Sequence, residues 1–283
     1  MKLYKLTTDD GELLLRIGRL KPFFKRWFGS HGFVNQLAVY KALQPQHFRH
    51  LKVPELKACD DRKFLLVSYV SGEAGKYPLS QGDQKKLIKS VFEFHQKGVG
   101  KTLPWQHALM ALVVAWRKNV RSRSIVNLFK IWPRIGTWGV AKGMELIRNM
   151  PRLKEPLLIH RDFKPRNVIY SNKGDFCLID FELARVQEFG LSIDGVEFGF
   201  DSDNFSFDKE FLRNYLLKAE KTYADLCPDA IADLRGTLLW RLLNYYYSSS
   251  PPRHKREEAL SFVKSCLLDD HQFEAWVDDL LKS

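Results

Sequence analysis

His160-Arg161-Asp162-Phe163-Lys164-Pro165-Arg166-Asn167, followed thirteen residues later by Asp180, decides the reading of this 283-residue chain. Between Asn167 and Asp180, Val168-Ile169-Tyr170 reads as a strand and Asn172-Lys173-Gly174-Asp175 as a turn. Phe176-Cys177-Leu178-Ile179 reads as the returning strand. A hairpin of this kind carries Asn167 at its entry and Asp180 at its exit. Two oxygen ligands then stand side by side, as a hard cation bridging phosphates requires. Asp and Asn are ordinary turn residues taken singly, so the weight lies in their spacing and in the apolar strands between them.

Upstream of the hairpin the chain is first strand-rich and then helical. Leu3 to Leu6 and Glu12 to Ile17 form an expected β-hairpin around Asp9-Asp10-Gly11. Phe33 to Leu43 has helical spacing, with Phe33, Leu37 and Tyr40 on one face. Phe64 to Val70 is an apolar strand ended by Ser71-Gly72. Helices are expected over Gln84–Lys97, His107–Arg121 and Ile125–Leu146, the last interrupted by Pro133 and Gly136. Beyond the hairpin, helices are expected over about Phe207–Lys221, Asp229–Tyr247, Arg256–Leu268 and Gln272–Leu281.

The apolar and charged fractions are those of a soluble globular protein with a substantial core. Cys59, Cys177, Cys227 and Cys266 are widely spaced and form no C-x-x-C pair, so they read as reduced thiols. Met1-Lys2-Leu3-Tyr4-Lys5 lacks the apolar run of a signal peptide, and the longest apolar run, Ala108 to Trp116, is too short to span a bilayer. The expectation is a cytoplasmic protein, with the inner face of the membrane open as a second location. Net charge is +12, and Phe94 to Met144 holds nine Lys or Arg with no Asp or Glu. Such a field favours anionic partners. Trp105, Trp116, Trp132 and Trp138 lie in that stretch. They suit a helical core, an anionic membrane or glycolipid surface, or, least well, single-stranded nucleic acid.

Leu157-Leu158-Ile159-His160-Arg161-Asp162, Asn167-Val168-Ile169 and Leu178-Ile179-Asp180-Phe181-Glu182 together resemble the catalytic core of the protein-kinase-like superfamily. The resemblance is closest to its small-substrate branch, the aminoglycoside phosphotransferases, choline kinases and lipopolysaccharide-kinase-like proteins. Protein kinases carry Gly where this chain has Glu182, and no Ala-Pro-Glu follows here. The His-Arg-Asp spelling and Lys164 lean the other way, toward protein kinases. The resemblance implies an α+β, bilobal fold: a short strand-rich N-lobe over 1–70 covering nucleotide, and a large helical C-lobe over 71–283.

The same resemblance implies ATP and Mg²⁺ as cofactors and transfer of the γ-phosphoryl group to a hydroxyl. Asp162 is the implied base and Lys164 a point charge toward the transferring group. Asn167 and Asp180 are the implied metal ligands. Gly11 to Arg16 resembles the strand that bears the phosphate-pairing cation, with Arg16 in place of Lys and Lys25 as the alternative. Gln36 stands where an acidic partner is expected on the next helix. The backbone of Ser68 and Val70 is the implied adenine-binding hinge. Asp201 and Asp203 lie where an Asp often supports the catalytic loop, although a solvated acidic turn explains them equally. His95 reads as structural. The front lobe leaves no room for a separate Gly-rich phosphate loop, and no G-x-x-x-x-G-K-[ST] occurs. The acceptor would be a small molecule or glycolipid; a serine/threonine protein kinase and a non-catalytic kinase-like binding module remain as rivals.

Overall fold

The computed structural model describes residues 2–9, 11–17, 31–44, 46–60, 64–75, 79–97, 120–171, 175–224, 227, 229–248 and 251–282. The helix expected over His107–Arg121, the Trp105 and Trp116 positions and the Lys25 alternative lie outside or almost wholly outside these residues. The chain forms two compact units. One comprises Met1–Pro104 with Leu157–Gln187, the other Trp105–Pro156 with Glu188–Ser283.

In the first unit, β1 (Lys2–Thr8) and β2 (Gly11–Ile17) form the expected hairpin, with Thr8 opposite Gly11. Gly11 sits at φ 122°, open to glycine and strained for other residues. Helix α1 (His31–Leu43) follows, then β3 (Leu51–Lys52), β4 (Leu56–Asp60), β5 (Phe64–Ser68) and β6 (Gly72–Ala74). An antiparallel sheet runs β1-β2-β5-β4. Alternation along β5 turns Leu65 and Val67 into the core, and α1 buries Leu37, Val39, Tyr40 and Leu43. Helix α2 is Gln81–Lys97, with Ser80 capping it by accepting from the Asp83 N–H at 3.1 Å.

The unit is completed by β7 (Leu157–Ile159), β8 (Val168–Ser171), β9 (Phe176–Leu178) and β10 (Arg185–Gln187). A second sheet runs β3-β9-β8-β6, and β7 pairs with β10. Gly72, at φ 154°, lies in β6 where a Cβ would come within 2.3 Å of the Tyr170 carbonyl oxygen. Only glycine lets the two strands approach so closely. The short strands β3, β4, β6, β7 and β10 were not legible as separate elements, because two- to five-residue strands carry too little alternation.

In the second unit, α3 (Val120–Lys130) and α4 (Trp132–Asn149) form the interrupted helix expected over Ile125–Leu146, with longer ends. The break falls at Pro133, tolerated in the first turn of α4, and at Gly136, whose φ of 69° is non-helical. Then come α5 (Ile193–Gly199), the hairpin β11 (Phe200–Asp201) and β12 (Ser206–Phe207), α6 (Lys209–Tyr223) and α7 (Ala230–Tyr246). Asp208 and Asp229 cap α6 and α7, accepting from Phe211 N–H at 2.9 Å and Ala232 N–H at 2.7 Å. Helix α8 (Arg253–Phe262) passes through a π-helical turn (Val263–Leu267) before α9 (Asp270–Lys282). Leu234, Leu238 and Leu242 on α7 recur at four-residue intervals and lie at the centre of this unit's core. Asp233, wholly buried on α7, accepts from the backbone N–H groups of Gly190 and Ser192 at 2.9 and 2.7 Å. It thereby ties the start of α5 to α7.

Asp270 accepts from Lys142 at 2.9 Å and from Arg235 at 2.7 Å. These hydrogen bonds, the one to Lys142 first, hold its carboxyl below the usual carboxylate range. A depressed folded pKa contributes stability above the unfolded value of about 3.9 that is lost as pH falls through the folded value. Asp270→Asn should therefore lower stability at neutral pH, by less than about 1 kcal/mol for so exposed a pair. The difference from wild type should close in strong acid; denaturant midpoints of both proteins across that range check this.

Candidate active site

The hairpin of β8 and β9 has Val168 opposite Leu178, Ile169 opposite Cys177 and Tyr170 opposite Phe176. The Ile179 N–H donates to the Asn167 carbonyl at 3.1 Å, extending the ladder to the residue before Asp180. Asn167 and Asp180 are thus brought to one end of the hairpin by strand pairing. At the other end the Asp175 carboxylate meets Lys52 at 2.8 Å and Lys86 at 3.7 Å. The hydrogen bond from Lys52 keeps its carboxyl low.

Asp162 precedes a short 3₁₀ turn, Pro165–Asn167. That turn folds Asn167 back, so its Nδ2 donates to the Asp162 carbonyl at 2.8 Å and to Oδ2 of the Asp162 side chain at 2.9 Å. Lys164 Nζ lies 2.7 Å from Asp162 Oδ1. Both carboxylate oxygens of Asp162 are therefore oriented by donors from its own loop. Asn167 spends its amide nitrogen in this way and keeps its Oδ1 without a hydrogen bond among the described residues.

Arg16 on β2 places its guanidinium 3.5 Å from Asp180 Oδ1. That carboxylate oxygen is buried and accepts no hydrogen bond among the described residues. Asp180 has φ 63° and Arg161 φ 66°, left-handed conformations costing about 1–3 kcal/mol that surrounding structure must offset. The offset for Asp180 is visible in its neighbours. Phe181 is wholly buried, stacked on Phe94 at 5.7 Å, edge-on to Tyr40 at 5.2 Å and 5.2 Å from the His160 ring. The His160 ring nitrogen Nε2 donates to the Ile179 carbonyl at 2.9 Å. One aromatic stack thus anchors both the loop bearing Asp162 and the turn bearing Asp180.

Burial, then the charge of Asp180, raise the Glu182 carboxyl above its usual range. Glu182 is thus an acid beside the Asp180 site as well as a departure from the protein-kinase Gly. Gln36 on α1 is wholly buried, and neither end of its amide has a hydrogen bond among the described residues. It supplies no acidic partner to Arg16, whose nearby counter-charge is Asp180.

Ser68 N–H is committed to the Glu55 carbonyl at 2.8 Å, and Tyr69 N–H to Glu12 at 2.9 Å. Val70 N–H has no backbone partner among the described residues. Ser68 and Val70 border a cavity of about 630 Å³ with Gln44, Phe48, Val53 and Glu55. Neither Arg16 nor Asp180 lines it. Asp162, Lys164 and Asn167 contact one another and Arg16 contacts Asp180, while Ser68 and Val70 line a cavity that none of these five residues borders.

Asp201 follows the acidic-turn reading. Its carboxylate accepts from Asp203 N–H at 2.8 Å, Asn204 N–H at 3.2 Å and Asn204 Nδ2 at 2.7 Å. Burial pushes its pKa up, but these donors, Asn204 first, bring it below the usual range. Asp194, wholly buried in α5, was not singled out in the sequence, nor was Glu197, which meets Arg241 at 2.8 Å. A lone acid in an apolar run is the available signal. His95 is buried against Phe92 and Phe94, at 5.6 and 6.2 Å, as a structural residue. All four cysteines are free, and burial pushes Cys177 up to about 12, leaving it a poor nucleophile.

No cluster of three or more His, Cys, Asp or Glu among the described residues could enclose a metal. Magnesium needs none, since it is held by one or two protein oxygens together with phosphates and water. The hydrogen-bond-free Asp180 Oδ1 and Asn167 Oδ1 fit that requirement.

The fold built around this site is the kinase-like fold of the small-molecule phosphotransferases. The streptomycin–ATP ternary complex of APH(2")-IIa matches with a TM-score of 0.57 at 19% identity, covering 93% of this chain and 90% of that one. The choline kinase LicA from Streptococcus pneumoniae matches with a TM-score of 0.53 at 13% identity, covering 93% and 89%. The chain belongs to the phosphotransferase enzyme family APH, whose model matches residues 2–191. It is also 26% identical over 255 residues to the serine/threonine-protein kinase PKH3 of Saccharomyces cerevisiae. That match covers 87% of this chain but spans only 26% of the yeast protein. No described helix is long and apolar enough to cross a membrane.

Proposed function

We propose that this protein is an ATP- and Mg²⁺-dependent phosphotransferase acting on a hydroxyl of a small-molecule or glycolipid acceptor. The single observation that carries the reading is Asp162, with both carboxylate oxygens oriented by Asn167 and Lys164. It stands in a loop whose hairpin also bears Asp180. When bound, Mg²⁺·ATP supplies the phosphoryl group and neutralises its charge. Asp162 accepts the proton of the acceptor hydroxyl and aims its lone pair. Lys164, already at Asp162, offsets charge that develops on the transferring group. Asn167 and Asp180 would hold the metal through their side-chain oxygens, and Arg16, 3.5 Å from Asp180 Oδ1, would offset phosphate charge. The backbone at Ser68 and Val70 receives the adenine edge. Residues 1–70 cover the nucleotide and 71–283 carry the catalytic loop and the acceptor. The free cysteines suit the reducing cytoplasm, where ATP and Mg²⁺ are plentiful.

Support comes from membership of the phosphotransferase family and from structural neighbours crystallised with ATP or ADP. A protein-kinase reading is favoured by the likeness to the yeast serine/threonine kinase and by the His-Arg-Asp and Lys164 spelling. Phosphorylation of a peptide mixture but of no sugar, amino alcohol or lipid would select it. For nucleotide binding, Mg²⁺·ATP should raise Tm, by the equivalent of about 2.7 kcal/mol at a hundredfold excess over Kd. Asp180→Ala should abolish the rise. No stabilisation of wild type at saturating nucleotide would refute ATP binding.

A further inference from the structure

Phe129, Trp132 and Trp138 are 51%, 48% and 65% exposed on the second unit. Soluble proteins normally hide residues of this size. These three fall within ten residues, at the corner where α3 meets α4 and where Pro133 and Gly136 break the helix. Phe129 and Trp132 are edge-to-face at 6.4 Å, and the adjoining Lys130 lies over the Tyr247 ring at 5.2 Å. Tyr247 is itself 39% exposed. The corner is therefore a bend that exposes three large aromatic side chains, with Lys130 beside them.

The sequence around it is predominantly basic. Residues 120–149 contain six Lys or Arg and a single Glu. Arg134, between the tryptophans, is held to Glu257 at 2.5 Å and reaches Tyr246 Oη at 3.2 Å. Glu257 belongs to α8, whose first turn, Arg253-His254-Lys255-Arg256, is itself basic. Exposed tryptophans beside Lys130 and Arg134, in a basic stretch of sequence, match the boundary of an anionic bilayer, where the rings enter the headgroup layer and the cations meet lipid phosphates. A solvated charged face would carry the cations without the tryptophans. An apolar protein contact would carry the tryptophans without the excess of cations.

We propose that the α3–α4 corner, through Phe129, Trp132 and Trp138 with Lys130, docks the protein peripherally on an anionic lipid surface. This inference does not depend on phosphotransfer. If the glycolipid reading of the acceptor holds, docking brings the enzyme to a membrane-borne substrate; if it fails, docking still stands or falls alone.

The test is co-sedimentation of the full chain with vesicles of phosphatidylcholine alone and of phosphatidylcholine mixed with phosphatidylglycerol. Binding to the mixed vesicles only is expected, weakening with salt. Each charge near such a surface is worth about fivefold in binding, so Lys130→Glu, a change of two charges, should weaken it about twenty-five-fold. Trp132→Ala/Trp138→Ala should remove it while leaving the unfolding midpoint and the Mg²⁺·ATP-induced rise in Tm as in wild type. Trp132→Tyr/Trp138→Tyr, which keeps interfacial aromatics, should retain most of it. Equal affinity for neutral vesicles, absence of binding, or binding indifferent to the tryptophans would overturn the proposal. So would a concentration-dependent dimer by sedimentation that the double alanine variant abolishes without any vesicle binding, since the patch would then cover a second copy.

Discussion

Asp162→Asn should reduce kcat by roughly 10²–10⁴-fold, the usual contribution of a positioned general base, while leaving ATP-dependent stabilisation intact. The two oxygens of Asp162 are each held, Oδ1 by Lys164 at 2.7 Å and Oδ2 by Asn167 at 2.9 Å. Asparagine keeps the volume and one acceptor oxygen but cannot take a proton at neutral pH. The nucleotide contacts assigned to Arg16, Asn167 and Asp180 remain, so KM for ATP should move little. Steady-state kinetics with a phosphorylated acceptor as readout, alongside thermal shifts with Mg²⁺·ATP, separate the two effects. Turnover within a fewfold of wild type would remove Asp162 from the chemistry. Intact cellular function in a variant lacking turnover would favour the non-catalytic reading.

Phe181→Ala should cost about 3–5 kcal/mol, a large share of the 5–15 kcal/mol by which a domain is normally stable. Phe181 is wholly buried and touches three rings, those of Phe94, Tyr40 and His160. Truncation leaves a cavity among groups anchored by α1, α2 and the catalytic loop, so relaxation into it is restricted. Each lost aromatic pair adds about 0.5–1.5 kcal/mol beyond the buried area. Phe181→Leu keeps most of the volume and should lose far less. Because Phe181 follows Asp180 at φ 63°, the leucine variant should still weaken Mg²⁺·ATP binding. Urea unfolding with an unchanged m-value is the measurement; a loss below about 1 kcal/mol would mean the stack does not hold the site.

The hairpin that brings Asn167 and Asp180 together was legible because spacing and alternation are local. Two apolar runs of strand length separated by turn residues can pair in few ways. The first hairpin, the α1 helix and the α6, α7 and α9 helices were legible for the same reason. The helix break near Pro133 and Gly136 was legible from backbone chemistry alone. Asp201 and Asp203 were ambiguous because an acidic turn and a supporting acid have the same local spelling. Asn204, which donates to Asp201 through both its backbone and its side chain, resolves it. Gln36 was identifiable as a departure from the expected acid, but its amide's lack of hydrogen bonds among the described residues depends on what packs around it.

By itself, the sequence determined the residue types and their order along the catalytic hairpin, since hydrogen-bond ladders and turn preferences act over a few residues. Tertiary structure alone decided which distant groups meet: Arg16 with Asp180, Phe94 and Tyr40 with Phe181, Asp233 with the start of α5. It also decided that Trp132 and Trp138 face solvent, against the helical core that was the first reading of their spacing. The physical reason is the same in each case. Desolvation and Coulomb interactions depend on separation in space, and chain positions far apart carry no local signal of it.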